Sequence, residues 1–244
     1  MIEAHDLRKQ FGAVKAVDGL SFAAREGAIT TLLGGNGSGK TTTLRMIGGL
    51  ITPASGRVEI DGVDVRRHRT KALARLGMLH DEFGLYPRLT VEEHVRFAAE
   101  LHGLFGRKLS AAVGRVLDEL DFGDLRGRLA AGLSHGQRMK VALARTIVHR
   151  PRNLVFDEPT RGLDVFSVRV LRDLLMRLRA EGACILMSSH AMGEVMELSD
   201  RLVVIHRGRV LAEGSPMEII ARAGAKDLES AFVTLTSRGE ALAA

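Results

Sequence analysis

Eight residues, Gly34-Gly35-Asn36-Gly37-Ser38-Gly39-Lys40-Thr41, restrict this chain more than any other stretch. They follow the apolar run Ile29-Thr30-Thr31-Leu32-Leu33 and precede Thr42-Thr43-Leu44-Arg45-Met46-Ile47, so the order reads strand, glycine loop, helix. The spacing fits G-x-x-x-x-G-K-[ST], in which glycines let successive backbone N–H groups turn inward around an anionic phosphate. Lys40 is expected to set a point charge on the β- and γ-phosphates, and Thr41 to offer a hydroxyl to Mg²⁺. The helix opening at Lys40, Thr41 and Thr42 presents its positive end to the same anion. The plain alternative is a flexible glycine turn. The stretch alone does not separate ATP from GTP, or a transporter motor from a kinase or a switch protein.

With 244 residues the chain is long enough for a large core, as one domain with a subdomain or as two small domains. Its longest apolar runs, such as Ala183 to Met187 and Leu202 to Ile205, are far shorter than a membrane-spanning helix. The start, Met1 to Asp6, lacks the basic and then apolar sections of a secretory signal, which points to the cytoplasm. The single cysteine, Cys184, lies inside an apolar run and reads as a small core residue. A formal charge of +6 suits anionic partners, yet the arginines are scattered as on an ordinary solvated surface. No tryptophan and one tyrosine leave little surface for stacking on single-stranded nucleic acid, and no nucleic-acid partner is expected.

Ile2 to Leu7 and Val17 to Phe22 read as short strands ahead of the glycine loop, and Arg57 to Ile60 with Asp61-Gly62 as a strand ending in a hairpin turn. These predict a small antiparallel sheet. From residue 88 to residue 150 the pattern is mostly helical, with a capping box at Thr90-Val91-Glu92-Glu93 and a helix cap at Ser134. Strand and helix then alternate: Asn153 to Phe156, a helix capped by Asp164 and stopped at Gly182, Ala183 to Met187, a short helix to Leu198, and a hairpin around Arg207-Gly208. Pro216 opens one final helix. Such alternation implies a mainly parallel sheet with ligands at the carboxyl ends of its strands.

Leu154-Val155-Phe156-Asp157-Glu158 is an apolar strand ending in two carboxylates. Beside a phosphate loop, Asp157 fits an Mg²⁺ ligand and Glu158 a residue that polarises water. Leu133-Ser134-His135-Gly136-Gln137 stands at a helix start, and here the chain resembles the ATP-binding cassette family, whose signature Leu-Ser-Gly-Gly-Gln it matches at four of five positions. The resemblance covers nearly the whole chain. It implies an α/β P-loop NTPase (RecA-like) core, 1–87 and 151–215, with a small antiparallel β subdomain and a helical subdomain, 88–150, followed by a short helical tail, 216–244. It also implies that Phe11 stacks on adenine, that Asp164 belongs to the D-loop and that His190 is the switch histidine. In that family two cassettes pair head to tail, so Ser134, Gly136 and Gln137 of one copy would meet the γ-phosphate held by Lys40 of the other. Taken singly, Phe11 reads as core, His190 as a satisfied polar residue and Ser134 as a helix cap.

Three residues depart from the family pattern. Gly35 replaces a proline, His135 replaces the third signature residue, and Asp81 stands where the family carries its Q-loop glutamine. A carboxylate at position 81 can serve Mg²⁺ but repels an uncovered γ-phosphate. Asp81 to Glu93 and the tail Asp227 to Thr236 are similar to cassettes that drive sodium or drug exporters of the two-component bacterial type (ABC-2 type). The expected protein is thus an ATP- and Mg²⁺-dependent ATPase on the cytoplasmic face of the cell membrane. It would form a homodimer, or a heterodimer with another cassette, against a separate transmembrane permease docked near Phe83, Leu85 and Tyr86. The rival readings are a cassette ATPase working on nucleic acid or ribosomes, and a slow-turnover regulatory cassette. A GTPase is disfavoured, because the chain has no Asn-Lys-x-Asp motif.

Overall fold

The structure is a computed structural model that describes residues 1–241. Strands β1 (Ile2–Phe11), β2 (Val14–Ala24), β4 (Ser55–Ile60) and β5 (Val63–Asp64) form an antiparallel sheet in the order β2-β1-β4-β5. Strands β3 (Ala28–Leu33), β6 (Leu76–Leu79), β7 (Asn153–Asp157), β8 (Cys184–Ser189), β9 (Arg201–His206) and β10 (Arg209–Gly214) form a second sheet, ordered β10-β9-β3-β8-β7-β6. Every pair in it is parallel except β9 with β10. The carboxyl ends of β3, β8, β7 and β6 therefore open side by side on one edge.

Both faces of the parallel sheet are covered, which is why its strands read as unbroken apolar runs. Leu154, Phe156, Ile185 and Met187 enter one core, together with helices α3 (Val91–Leu101), α4 (Gly106–Glu119), α5 (His135–Ile147) and α6 (Val165–Ala180). Val155, Cys184 and Leu186 point the other way, into a core shared with α1 (Lys40–Ile47), α2 (Arg69–Leu73) and the antiparallel sheet. Cys184 is fully buried, and burial raises its thiol to a pKa of about 11. It is a core residue, as its setting suggested.

The first two strands run well beyond the expected Ile2 to Leu7 and Val17 to Phe22. Their alternation is broken by register shifts, with Asp6 at φ 46° and Gly19 at φ 78°. Each shift rephases the buried positions, from Ala4 to Leu7 and from Val17 to Leu20, so a strict period of two loses the strand. The tail also differs from the single helix expected from Pro216. It forms α8 (Pro216–Ala223), ended by Gly224 at φ 67°, and α9 (Leu228–Ala241), where Asp227 Oδ1 accepts the Ser230 N–H at 2.8 Å. Between β8 and β9 lies α7 (Met192–Leu198).

Where α3, α5 and β6 meet, the rings of His102 and His149 stack with centroids 3.4 Å apart, and His149 Nε2 lies 3.1 Å from the Leu76 carbonyl oxygen. Burial first, and then the neighbouring His102, push the His149 pKa from 6.5 down to about 4. The folded chain thus holds this imidazole neutral. Its contribution to stability is complete above about pH 6.5 and is lost as pH falls toward 4, because the unfolded chain takes up the proton first. Lowering the pH from 7 to 5 is expected to cost about 2 kcal/mol at this site. Denaturant unfolding at a series of pH values checks it: in a His149→Gln protein the slope should drop, and an unchanged slope rules His149 out as a source.

Candidate functional site

The loop after β3 is shaped by close approach. Gly39 takes φ 106° as the N-cap of α1, and a Cβ there would run into the Ala16 carbonyl oxygen, so only glycine fits. The first intrahelical bond runs from the Thr43 N–H to Gly39 O at 2.9 Å. That leaves the N–H groups of Lys40, Thr41 and Thr42 at the open, positive end of the helix. Lys40 is only 5% exposed, and its Nζ donates to the carbonyl oxygens of Gly34, at 2.8 Å, and Gly35, at 3.2 Å.

Two neighbouring strands bring the acids. Asp157 ends β7, is buried, and its Oδ1 accepts the Ser188 hydroxyl at 2.6 Å and the Thr41 hydroxyl at 3.3 Å. Glu158 sits in the left-handed region at φ 47°, held there by its N–H donating to Ser188 Oγ at 2.9 Å. This turn aims its carboxylate between the Lys40 ammonium and the His190 ring. Oε1 is 3.5 Å from Lys40 Nζ, and Oε2 lies 2.8 Å from His190 Nδ1. Ser188 therefore fixes both acids from the end of β8. Its position at the end of an apolar strand beside His190 was visible in the sequence, but its role was not.

Lys40, Thr41, Asp157, Glu158 and His190 line one cleft of about 500 Å³, with Asn36, Gly37, Ser38, Gly39, Thr42 and Asp81 on the same walls, whereas Gly34 and Gly35 do not line it. Val14, Ala16 and Arg161 line it too and were not foreseen; the first two come from β2, folded over the loop by the antiparallel sheet. Asp81 is 3.8 Å from the Arg45 guanidinium and also lines a neighbouring cleft of about 310 Å³ with Phe83, Leu85 and His135. Phe11 is not among the lining residues. It is 49% exposed, with Lys9 Nζ 5.5 Å from its ring centroid.

The signature residues lie outside the cleft. Ser134 and Gln137 form a capping box at the start of α5, where Ser134 Oγ accepts the Gln137 N–H at 3.2 Å and Gln137 Oε1 accepts the Ser134 N–H at 3.0 Å. Gly136 abuts the start of α6, since a Cβ would strike Ser167 Oγ. Asp164 caps α6, and its hydrogen bonds from Ser167 hold its carboxyl below the usual range. His135 lays its ring 5.2 Å from that of Phe83. Within one chain, Ser134, Gly136, Gln137 and Asp164 form a second group, separate from the lysine cleft.

A pocket with N–H groups and an ammonium for an anion, beside hydroxyl and carboxylate oxygens for a hard cation, has the donor set that a magnesium-bound nucleotide needs. The family model for ABC transporters matches residues 17–161. Over 244 residues the chain is 36% identical to the ABC transporter ATP-binding protein NatA of Bacillus subtilis, covering 98% of this chain and 99% of that one. It is 37% identical to the Nod factor export ATP-binding protein I of Ralstonia nicotianae over 90% of this chain and 68% of that one. A solved dimeric bacterial ABC transporter cassette superposes with a TM-score of 0.80 at 25% identity, over 88% of this chain and 98% of that one. With its P-loop NTPase fold, the chain belongs to the ABC transporter family, as an ATP-binding ATPase subunit.

Proposed function

We propose that this subunit powers an exporter from the cytoplasmic face of the membrane, as a dimer of cassettes bound to a separate transmembrane permease. The observation that carries this reading is the division of the motif residues into two groups on one chain. Lys40, Thr41, Asp157, Glu158 and His190 share a cleft, whereas Ser134, Gly136 and Gln137 sit at the exposed start of α5. A second copy, turned head to tail, would bring that helix start to the phosphates. The dimeric solved cassette supports the pairing.

In this reading Lys40 and the amides from Gly34 to Thr42 hold phosphates, and Phe11 meets the adenine. Thr41 and Asp157 hold Mg²⁺, with Asp81 at the cleft wall as a further carboxylate; the ion supplies charge neutralisation on the phosphate oxygens. Glu158 takes the proton of the attacking water, and His190, whose Nδ1 lies 2.8 Å from that carboxylate, orients it and faces the γ-phosphate. The name of one relative, the Nod factor export ATP-binding protein I, supports export.

For the permease, the helical region offers an exposed apolar face: Tyr86, Phe97, Leu101 and Phe105 are exposed, with Tyr86 edge-on to Phe97 at 6.2 Å. Phe83 and Leu85 instead tuck against the core, so of the three residues expected at the docking surface Tyr86 is the one that projects. No helix among the described residues is long and apolar enough to cross a membrane. The test is purification from native membranes followed by phosphate release with and without them. A co-purifying membrane protein that raises hydrolysis is expected; co-purification with nucleic acid or ribosomes, or hydrolysis indifferent to membranes, overturns the exporter reading.

A further inference from the structure

A second cleft, of about 700 Å³, lies at the far end of α1 from Lys40, between that helix, β4, β5 and the turn into α2. Eight residues at 1.5 Å each put its mouth roughly 12 Å along the helix from the lysine. Its floor is apolar, from buried Met46, Val58 and Val65, and its rim carries Arg66, Arg67 and Arg69. The nucleotide chemistry uses none of these.

The charges here do not cancel. Arg57, also on the rim, is matched by Glu59 at 2.9 Å. Asp64 is the one acid on the wall, and its Oδ1 accepts the backbone N–H groups of both Arg66 and Arg67 at 2.8 Å. Its carboxylate thus fixes the turn that carries Arg66 and Arg67, and its one negative charge stands against three guanidinium groups. Among the described residues, Arg66, Arg67 and Arg69 make no ion pair, as is also true of Arg88, Arg107, Arg150 and Arg152, but only here do three such arginines rim a cleft within four residues. Gly49, at φ 66°, lets Arg69 lie close over the end of α1, where a Cβ would stand 3.4 Å from its Nε. Exposed His68 and Lys71 extend the positive field.

Unpaired guanidinium groups within four residues, on a turn fixed by hydrogen bonds, match the oxygens of a dianionic phosphate, because each guanidinium can donate two parallel N–H bonds. A volume of this size is that of a small-molecule site, and an apolar floor suits a ring or short chain. We propose that this cleft binds a phosphate group carried on a small apolar or aromatic body, as an anion site separate from the one at Lys40. The proposal stands independently of the exporter reading.

The experiment titrates inorganic phosphate, then phenyl phosphate, into the full chain saturated with a non-hydrolysable ATP analogue and Mg²⁺, following backbone amides by NMR. Shifts should appear at Asp64 to Arg69 and Gly49, with phenyl phosphate binding at least three-fold tighter. In the Arg66→Ala/Arg67→Ala/Arg69→Ala protein the affinity should fall at least ten-fold while the ATP analogue binds as before. The triple Arg→Lys protein, with charge but no fork, should fall several-fold. Vesicles of phosphatidylcholine with one quarter phosphatidic acid, a phosphate monoester, distinguish the source: sedimentation with them, lost in the triple alanine protein, identifies a lipid headgroup as the carrier. Shifts confined to residues 34 to 42, an equal response to chloride, or no response to either phosphate or vesicles overturns the proposal.

Discussion

Replacing Glu158 with glutamine is expected to lower steady-state ATP hydrolysis at least ~100-fold while leaving MgATP binding intact. The amide keeps the shape of the side chain and can still meet His190, but it cannot take a proton from water. Removing the charge also relieves repulsion on the phosphate side, because the carboxylate is now held 3.5 Å from Lys40 Nζ, the cation assigned to the phosphates. ATP should therefore bind at least as tightly as to the parent, and a closed dimer should accumulate. Phosphate release, equilibrium binding of ATP and size-exclusion chromatography with MgATP read the three parts separately. Hydrolysis within a few-fold of the parent removes Glu158 from the role of base. Slow hydrolysis without a dimer keeps the base and removes the head-to-tail pairing.

That experiment depends on residues whose legibility in the sequence was uneven, for physical reasons. Local signals held well. The capping box at Thr90 and the helix cap at Ser134 are both formed in the structure, the latter closed into a full box by Gln137, because the partners lie within one turn. The loop from Gly34 to Thr41 carries its geometry in its glycines. What failed were features that arise only when distant segments meet. Ser188 reaches Asp157 and the Glu158 N–H across 31 and 30 residues, and nothing local distinguishes it from another strand-end serine. Val14 and Ala16 reach the cleft because the antiparallel sheet folds over the loop, and register shifts between β1 and β2 hid the true length of both strands. The split of the tail was readable after all. Gly224 and then Asp227 are a helix stop and a helix start, overlooked in favour of one continuous helix.

The departures at Asp81 and His135 gain meaning from the same comparison. His135 does not project into the lysine cleft of its own chain. Its ring packs against Phe83, and its Nε2 would stand 3.5 Å from a Cβ placed on Gly162. It thus joins the segment after Asp81, the start of α5 and the loop before Asp164 in one contact. Bulk at position 135 is accommodated within the chain, while Asp81 remains on the cleft wall beside Arg45.

Lys40→Ala should reduce ATP affinity at least ten-fold and bring hydrolysis below about one hundredth of the parent rate. The ammonium is nearly buried, and Gly34 O and Gly35 O fix it over the loop, so no neighbouring cation can swing into its place. Arg161 and His190 line the same cleft, but His190 is engaged by Glu158 and neither belongs to the loop. Lys40→Arg should fail nearly as badly, because a planar fork does not fit a pocket that receives a compact point charge between two carbonyls. Isothermal titration with ATP, with and without Mg²⁺, checks both variants, and circular dichroism confirms the fold. Full affinity in a folded Lys40→Ala protein would move the phosphates away from this loop, and with them the roles given to Thr41, Asp157 and Glu158.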